Sequence, residues 1–490
     1  MLRTSRKPYM INVIKNNRLK TRTVKLMTLW IIIFSSNIYS QKSITIDEVN
    51  KIVLSKSNQI KLIENEFTKS NIERNLYKIS LLPQISTSVS APYQRSISEV
   101  LQSDGSLRYI ERNYLNPSLN LNVSQVLPFT GGSINLSSSL NNARDFNNKT
   151  SSFSSNWVNL SYQQTVNGFN SYKWRNRINY LSIKKDSIDY LKEKIKLKYE
   201  VSKSYLDTQL VQLKINLLAA NIQKTEKIII ELEEKLKYGR TLKIEVEQSK
   251  IVLEQLKSQQ KITELDYLSG INSLKIMMKD NGNSSYLLLP IKKINNYELD
   301  KYQLKEAVRK NGFDLEKTIK LLEGDASIDK AKKEGAMSIN FQLGMGLNSS
   351  GTNIYNLYEK PSQSQFITIG TKIPILDWGK AKKNEMIARL EKENTELSLD
   401  ENEEKIDEQL NDLINYQFSL TEKVASLERQ IVLIKSIDTM FEELFRLGRK
   451  TTAEYKTQLV ESFNATIEYQ KTINDLYLLK LKTNEIYLLF

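Results

Sequence analysis

The sequence predicts an α+β membrane protein in which transmembrane strands run end-on into very long helices, with that plan laid down twice in tandem. Three observations predict it: an N-terminal export signal, alternating strands that pass directly into helix, and landmarks that recur at a nearly constant offset.

The 490 residues carry 71 Lys/Arg and 56 Asp/Glu, a formal charge of +15. Eight of the basic residues, and no acids, fall in residues 1–40: Arg3, Arg6, Lys7, Lys15, Arg18, Lys20, Arg22 and Lys25. Removing them leaves 63 basic against 56 acidic residues, a mixed surface rather than a nucleic-acid footprint. The basic stretch precedes LMTLWIIIF (26–34) and then SSNIYS, the layout of a secretory signal peptide cleaved near Ser40. That apolar run is short for a membrane anchor, and no later segment approaches the ~18 apolar residues of a transmembrane helix. The chain has no Cys and no His. Thiolate zinc sites, disulfides, Cys nucleophiles and the usual general base are thereby excluded, and no cluster of carboxylates or lysines replaces them. The expectation is a non-enzyme without cofactor or metal.

The repeats come next. SITIDEVNKIVLSKSNQIKLIENE (43–66) echoes YQLKEAVRKNGFDLEKTIKLLEGD (302–325), and VNGFNSYKWRNR (166–177) echoes LDWGKAKKNE (376–385). KLKYGRTLKIEVEQSK (235–250) echoes LFRLGRKTTAEYKTQL (444–459), each with Gly-Arg and a Glu six residues after the Gly. Gly168 and Gly379 lie 211 residues apart, Gly239 and Gly448 lie 209 apart. A tandem duplication is expected, divided as signal peptide 1–40, first repeat 41–280, linker 281–300 and second repeat 301–490.

Between Phe169 and Ser269 the only helix-breaker is Gly239, and between Lys380 and Phe490 it is Gly448. Proline costs about 3 kcal/mol inside a helix and glycine about 1, so Ser171–Lys237 and Lys380–Leu447 are predicted as helices about 100 Å long. Leu413, Leu420, Val424, Leu427, Ile431, Ile434, Phe441 and Phe445 form a seam of 3.5-residue type, as do Leu206, Leu210, Leu213, Leu217, Ile229, Leu232 and Leu236. MSINFQLGMGL (337–347) alternates without a slip and pairs with 366–374 across a loop at 348–365. In the first half Ile85–Ala91, Leu119–Val123, Ile134–Ser138 and Val158–Tyr162 alternate likewise. About forty residues between Pro83 and Gly168 have no counterpart in the second half, which fits either an additional hairpin or a long strand pair with an irregular extension. Alternation of this kind suits a strand with lipid on one face and a lumen on the other; a half-buried soluble sheet has the same period. Export and the fusion to long helices favour a barrel. Open edges do not survive in lipid, and one chain has too few strands to close a wide barrel, so an oligomer is implied.

The export signal, the duplicated order of helix, strand pair and long helix, the junction PILDWG and the paired Gly-Arg turns together resemble the TolC-like outer-membrane efflux proteins. The resemblance covers essentially all of the mature chain and rests on the ordered, duplicated set rather than on any one motif. It implies a homotrimer with one transmembrane β-barrel in outer-membrane lipid, continued by a long periplasmic α-helical barrel. It also implies partners, a periplasmic adaptor and an inner-membrane transporter, with no nucleic acid and no cofactor. Gly168, Pro374 and Gly379 then mark strand-to-helix junctions, and 281–300 an equatorial patch. Gly239, Arg240, Gly448 and Arg449 become the tip that meets the adaptor and closes the entrance. Glu245 matches an inward acidic residue, Phe445 and Lys450 an aromatic–basic latch, and Glu454 an acidic ring whose three copies would attract cations. The sequence departs from the family pattern where Phe445 lacks a phenol, Lys450 cannot pair bidentately and Thr457 occupies the second acidic position. The alternative reading is an exported coiled-coil structural protein with a soluble β-sheet region.

Overall fold

The structure, a computed structural model, describes residues 42–282, 285–291 and 298–488. The expected signal peptide therefore lies outside the described residues, as do 283–284 and 292–297 of the linker. The chain opens with β1 (Lys42–Ile44), α1 (Ile46–Lys56) and α2 (Asn58–Ser80). Six strands follow: β2 (Gln84–Ser90), β3 (Tyr93–Leu101), β4 (Leu107–Leu115), β5 (Ser118–Leu127), β6 (Gly132–Asp145) and β7 (Thr150–Val166). Then come α3 (Ser171–Lys237), α4 (Lys243–Met278) and β8 (Tyr286–Leu288). The second half holds α5 (Lys301–Val308), α6 (Asp314–Gly335), β9 (Ser338–Gly351), β10 (Ser362–Lys372), α7 (Lys380–Arg446) and α8 (Thr452–Tyr487). The long helices α3 and α7 both count 67 residues, and α4 and α8 both count 36.

The chain divides into two compact units, each taking segments from both halves of the sequence. One comprises the described residues up to Ser57 with Lys198–Ile294 and Lys423–Leu478. Its core gathers Val49 and Val53 of α1, Val201, Tyr205 and Leu206 of α3, Leu274 of α4 and Leu288 of β8, all almost fully buried. Helix α1 starts cleanly because Thr45 and Glu48 form a capping box, with Thr45 N–H donating to the Glu48 carboxylate at 2.8 Å and Glu48 N–H to Thr45 Oγ1 at 3.3 Å. The short parallel pair β1–β8 is tied down by Tyr205, whose hydroxyl faces the Ile44 and Leu289 carbonyls at 2.8 and 2.9 Å.

The buried stripe of α7 follows its predicted seam through Leu413, Leu420, Val424, Leu427 and Phe445, with Ile431, Ile434 and Phe441 half-buried. On α3 the stripe moves one residue, from the line of Leu210, Leu213 and Leu217 to Leu218, Ile222, Thr225, Ile229 and Leu232. A helix of 3.6 residues per turn makes such a step when it drifts against a 3.5-residue repeat.

The other unit, Asn58–Leu197 with Asn295–Glu422 and Leu479–Phe490, holds the sheet. Here polar ties join the helices: Arg74 to Asp186 at 2.6 Å, Trp174 Nε1 to Asp329 at 2.9 Å, and Lys392 to Asp325 at 2.8 Å. The sheet is open and antiparallel throughout, in the order β10-β9-β7-β6, after which β6 pairs with β5 and, at its far end, with β4; β5 pairs with β2 and β4 with β3. β3 and β4 show no clean apolar alternation, and the hairpin they form is one of the two arrangements that the extra residues of the first half allow. Arg95, Glu99, Arg108, Glu111 and Arg112 break their apolar alternation, yet the two strands pair over their whole length and Arg95 bonds Glu111 across them. β9 also runs past the predicted end at Leu347, since Asn348–Gly351 continue pairing with β7. The connecting loop is correspondingly short and is pinned by Trp157, whose indole donates to the Leu357 carbonyl at 3.0 Å. Trp157 sits where the β7–β9 register shifts, so a bulge re-aims its side chain.

Candidate functional site

Both Gly-Arg turns close their helices in the same way. Gly239 has φ +66° and Gly448 φ +72°, a conformation that costs an L side chain about 1–2 kcal/mol. Arg240 N–H donates to Lys235 O and Arg449 N–H to Leu444 O, both at 2.9 Å, while each glycine N–H bonds the carbonyl three residues back at 3.0 Å. These paired bonds are a Schellman cap, which satisfies the last carbonyls of α3 and α7 and reverses the chain. Arg240 and Arg449 are exposed, as are the apolar side chains of Tyr238, Leu242, Ile244 and Leu447 beside them.

Beneath the turns lies an apolar cluster of Ile228, Leu232, Val246, Phe445, Tyr455 and Leu459, flanked by Leu236 and Phe441. Phe445 is only 5% exposed and its ring lies 5.1 Å from that of Tyr455. Within the chain it is therefore a core side chain of the turn. Lys450 reaches the Glu454 carboxylate at 2.7 Å and sits 5.1 Å over the Phe441 ring. Glu454 closes a second capping box: its carboxylate accepts Thr451 N–H at 2.9 Å, and Thr451 Oγ1 accepts Glu454 N–H at 3.3 Å. Glu245, at the matching place in the first turn, accepts a hydrogen bond from Thr241. The structure thus joins Lys450 with Glu454 and puts Phe445 in the cluster below them. The T-x-x-E spacing that specifies this cap is plain in TTAE (451–454).

Lys450, first, and Thr451 hold the Glu454 carboxyl at about 2, well below its ordinary value of 4.5. A depressed carboxylate stabilises the fold above its unfolded pKa and loses that contribution as pH falls through its folded one. Glu454→Gln is therefore expected to lower the melting temperature at neutral pH, with the difference from wild type shrinking below pH 4.5 and lost as the pH falls through about 2. A difference that stays constant across that range would mean the carboxylate charge plays no part.

The strand-to-helix junctions also share a device. Asn170 Oδ1 accepts Lys173 N–H at 3.1 Å at the start of α3, and its amide reaches Pro128 O at 2.9 Å. Asp377 accepts Gly379 and Ala381 N–H, both at 2.9 Å, at the start of α7. Gly379 has φ +78° and Trp378 φ +56°; on the other side Asn167, beside Gly168, has φ +60°. Sequence reading singled out Gly168, Pro374 and Gly379 and missed the caps, although Asn and Asp just before a helix are the standard signal.

Apolar side chains line up on one face of the sheet through β2, β5, β6, β7, β9 and β10. Ile85, Val123, Leu136, Leu160 and Met345 stand in one row, and Ile134, Tyr162, Leu343 and Ile367 in another. This face is uncovered, with Ile85 73% and Ile367 74% exposed. Below it, Phe129 and Trp378 stand almost fully exposed at the strand ends. Among the described residues no helix is long and apolar enough to cross a membrane, and no three His, Cys, Asp or Glu gather as a metal site.

No sequence-family model and no curated protein matches the chain. Solved structures do. The CmeC outer membrane channel of Campylobacter jejuni superposes with a TM-score of 0.65 at 14% identity, over 90% of this chain and 85% of that one. The outer membrane protein VceC of Vibrio cholerae gives 0.64 at 10% identity, over 90% and 95%. The open-state MtrE outer membrane channel of Neisseria gonorrhoeae gives 0.60 at 11%, over 90% and 88%. The fold is that of the TolC-like outer-membrane channels. The TolC-like likeness is one of architecture, since at 10–14% identity few side chains coincide. Individual roles at the turns therefore rest on this chain's own geometry.

Proposed function

We propose that the protein is the outer-membrane channel subunit of a tripartite efflux or type I secretion system, conducting substrates passively and without chemistry. In this reading three copies share a β-barrel in outer-membrane lipid, and their duplicated long helices form a periplasmic tunnel. The Gly-Arg turns, with their exposed arginines and apolar neighbours, meet a periplasmic adaptor that couples the tunnel to an inner-membrane transporter. The observation that carries the reading is the apolar sheet face, whose rows run in register from β2 to β9 and from β6 to β10 and are uncovered in the single chain. A soluble sheet would bury such a face, whereas a transmembrane barrel turns it to lipid. Exposed Phe129 and Trp378 at the strand ends suit the aromatic girdle of a bilayer interface. The equal lengths of α3 and α7, and of α4 and α8, support the tandem duplication.

The test is to express the full-length chain in a Gram-negative host, fractionate its membranes and weigh the extracted protein by light scattering corrected for detergent. A trimer from the outer membrane that conducts in planar bilayers is the expected result. A water-soluble periplasmic monomer or dimer would overturn the reading in favour of an exported coiled-coil structural protein.

A further inference from the structure

The first half of the chain contributes more spanning strand than the second. β2 and β3 are separated only by Ala91 and Pro92, and β4 and β5 only by Asn116 and Pro117. Pairing carries on through both breaks: Asn116 N–H donates to Pro92 O at 3.0 Å and Asn142 N–H to Pro117 O at 2.9 Å. Proline lacks the donor that a ladder needs, so each break is a local bend within one ribbon. The sheet therefore consists of six ribbons, in spatial order β10, β9, β7, β6, β4–β5 and β2–β3. Four come from the first half and two from the second.

Three properties of this sheet fix how it closes. Its two free edges are β10 and β2–β3, and the even number of ribbons makes those edges run in opposite directions. Its apolar rows keep to one face through β2, β5, β6, β7, β9 and β10, so the β2–β5 stretch of the added ribbons extends that face, while their outer β3–β4 stretch sets Arg95, Glu99 and Glu111 among its apolar residues. Edge residues on that face, Ile85 and Val89 on one side and Ile367 and Ile369 on the other, are all exposed. An edge of unpaired N–H and C=O groups has no partner in hydrocarbon, so each must meet another strand. The occupant with complementary direction and matching apolar period is a second copy of this chain.

We propose that β10 of one copy pairs antiparallel with the β2–β3 ribbon of the next, so that three copies of six ribbons close an eighteen-stranded barrel. This rests on the trimeric-channel reading above. With strands about 4.8 Å apart and tilted about 40°, eighteen strands enclose a diameter of about 36 Å, against about 24 Å at the same tilt for four strands per copy. The opposite face, towards the lumen, bears Asn120, Asn122, Asn135, Ser137, Asn159 and Ser161 in register. Such a mouth is wide and uncharged along these rows. It suits bulky hydrophilic cargo and leaves selection by charge to other parts of the conduit.

The absence of cysteine makes the test clean. Thr368→Cys on β10 and its lumen-face neighbours Ser364→Cys and Gly370→Cys are each combined with Ser88→Cys on β2, in the full chain in outer membranes, and oxidised. The expected result is a covalent ladder up to trimer for the in-register pair and none for single-cysteine chains, because a disulfide forms only at Cα separations of roughly 4.4–6.8 Å. The same β10 series is combined with Ser137→Cys on β6. Cross-linking there, with none to Ser88→Cys, would mean that β10 meets β6 of the next copy and that the added ribbons stand outside the barrel. That overturns the proposal. Native mass on the same preparations separates the two levels: a trimer cross-linked through β6 sinks only the wide barrel, and a protein that is not a trimer sinks the channel reading as well.

Discussion

Phe445→Ala is expected to destabilise the region of the second turn by about 3–5 kcal/mol, the range for deleting a buried aromatic side chain. Phe445 lies in the cluster where α3, α4, α7 and α8 converge, against Tyr455, Val246 and Leu232. Removing its ring takes away the tilted aromatic contact with Tyr455 and leaves a cavity lined by apolar side chains. Long helix ends have few neighbours to collapse into such a hole, so relaxation recovers little. Hydrogen exchange of α7 and α8 near Gly448, with limited proteolysis at the turn, reads the loss locally, where a whole-chain melt would dilute it. The outcome also separates two roles. A latch facing the pore would give a leaky channel with an unchanged exchange profile; a core side chain gives fast exchange first, and any leak follows from it.

Tyr205→Ala is expected to cost at least as much, about 3–5 kcal/mol from the cavity alone. Tyr205 is 0% exposed, and burial pushes its phenol pKa upward, so it stays a neutral donor at any physiological pH. Its hydroxyl is shared between Ile44 O and Leu289 O, the carbonyls that flank the β1–β8 pair. Tyr205→Phe keeps the ring and removes only the hydroxyl, and should cost about 1–3 kcal/mol because buried carbonyls lose a donor. Protease cleavage near Lys42 and Tyr286 should rise in both variants. If Tyr205→Phe were indistinguishable from wild type in urea melts, other groups or water would be satisfying those carbonyls.

Much of this fold was written in the sequence because its signals are long. A 67-residue stretch free of Pro and Gly leaves little choice but helix, and the alternation from Met337 to Leu347 admits only a strand. What escaped was local or charged. β3 and β4 were legible only as one of two options, because Arg95–Glu111 pairing stabilises a ladder that apolar periodicity does not register. The caps at Asn170 and Asp377 hid behind the more conspicuous glycines. At the turns, sequence located Glu245, Phe445, Lys450 and Glu454 but not their surroundings. Residue type cannot tell a carboxylate that faces an axis from one that caps its own helix; that takes the position of the Thr451 amide.

That self-contained arrangement has a mechanical consequence. Lys450, Thr451 and Glu454 satisfy one another within five consecutive residues, so a displacement of the second turn carries the group along intact. Such a displacement would instead strain the contacts that tie the end of α7 to α3 and α8, the apolar packing around Phe445 and Tyr455 and the Arg446–Glu231 ion pair at 3.4 Å. Added salt screens ion pairs that must separate and has no such grip on a part that travels with its counter-charge.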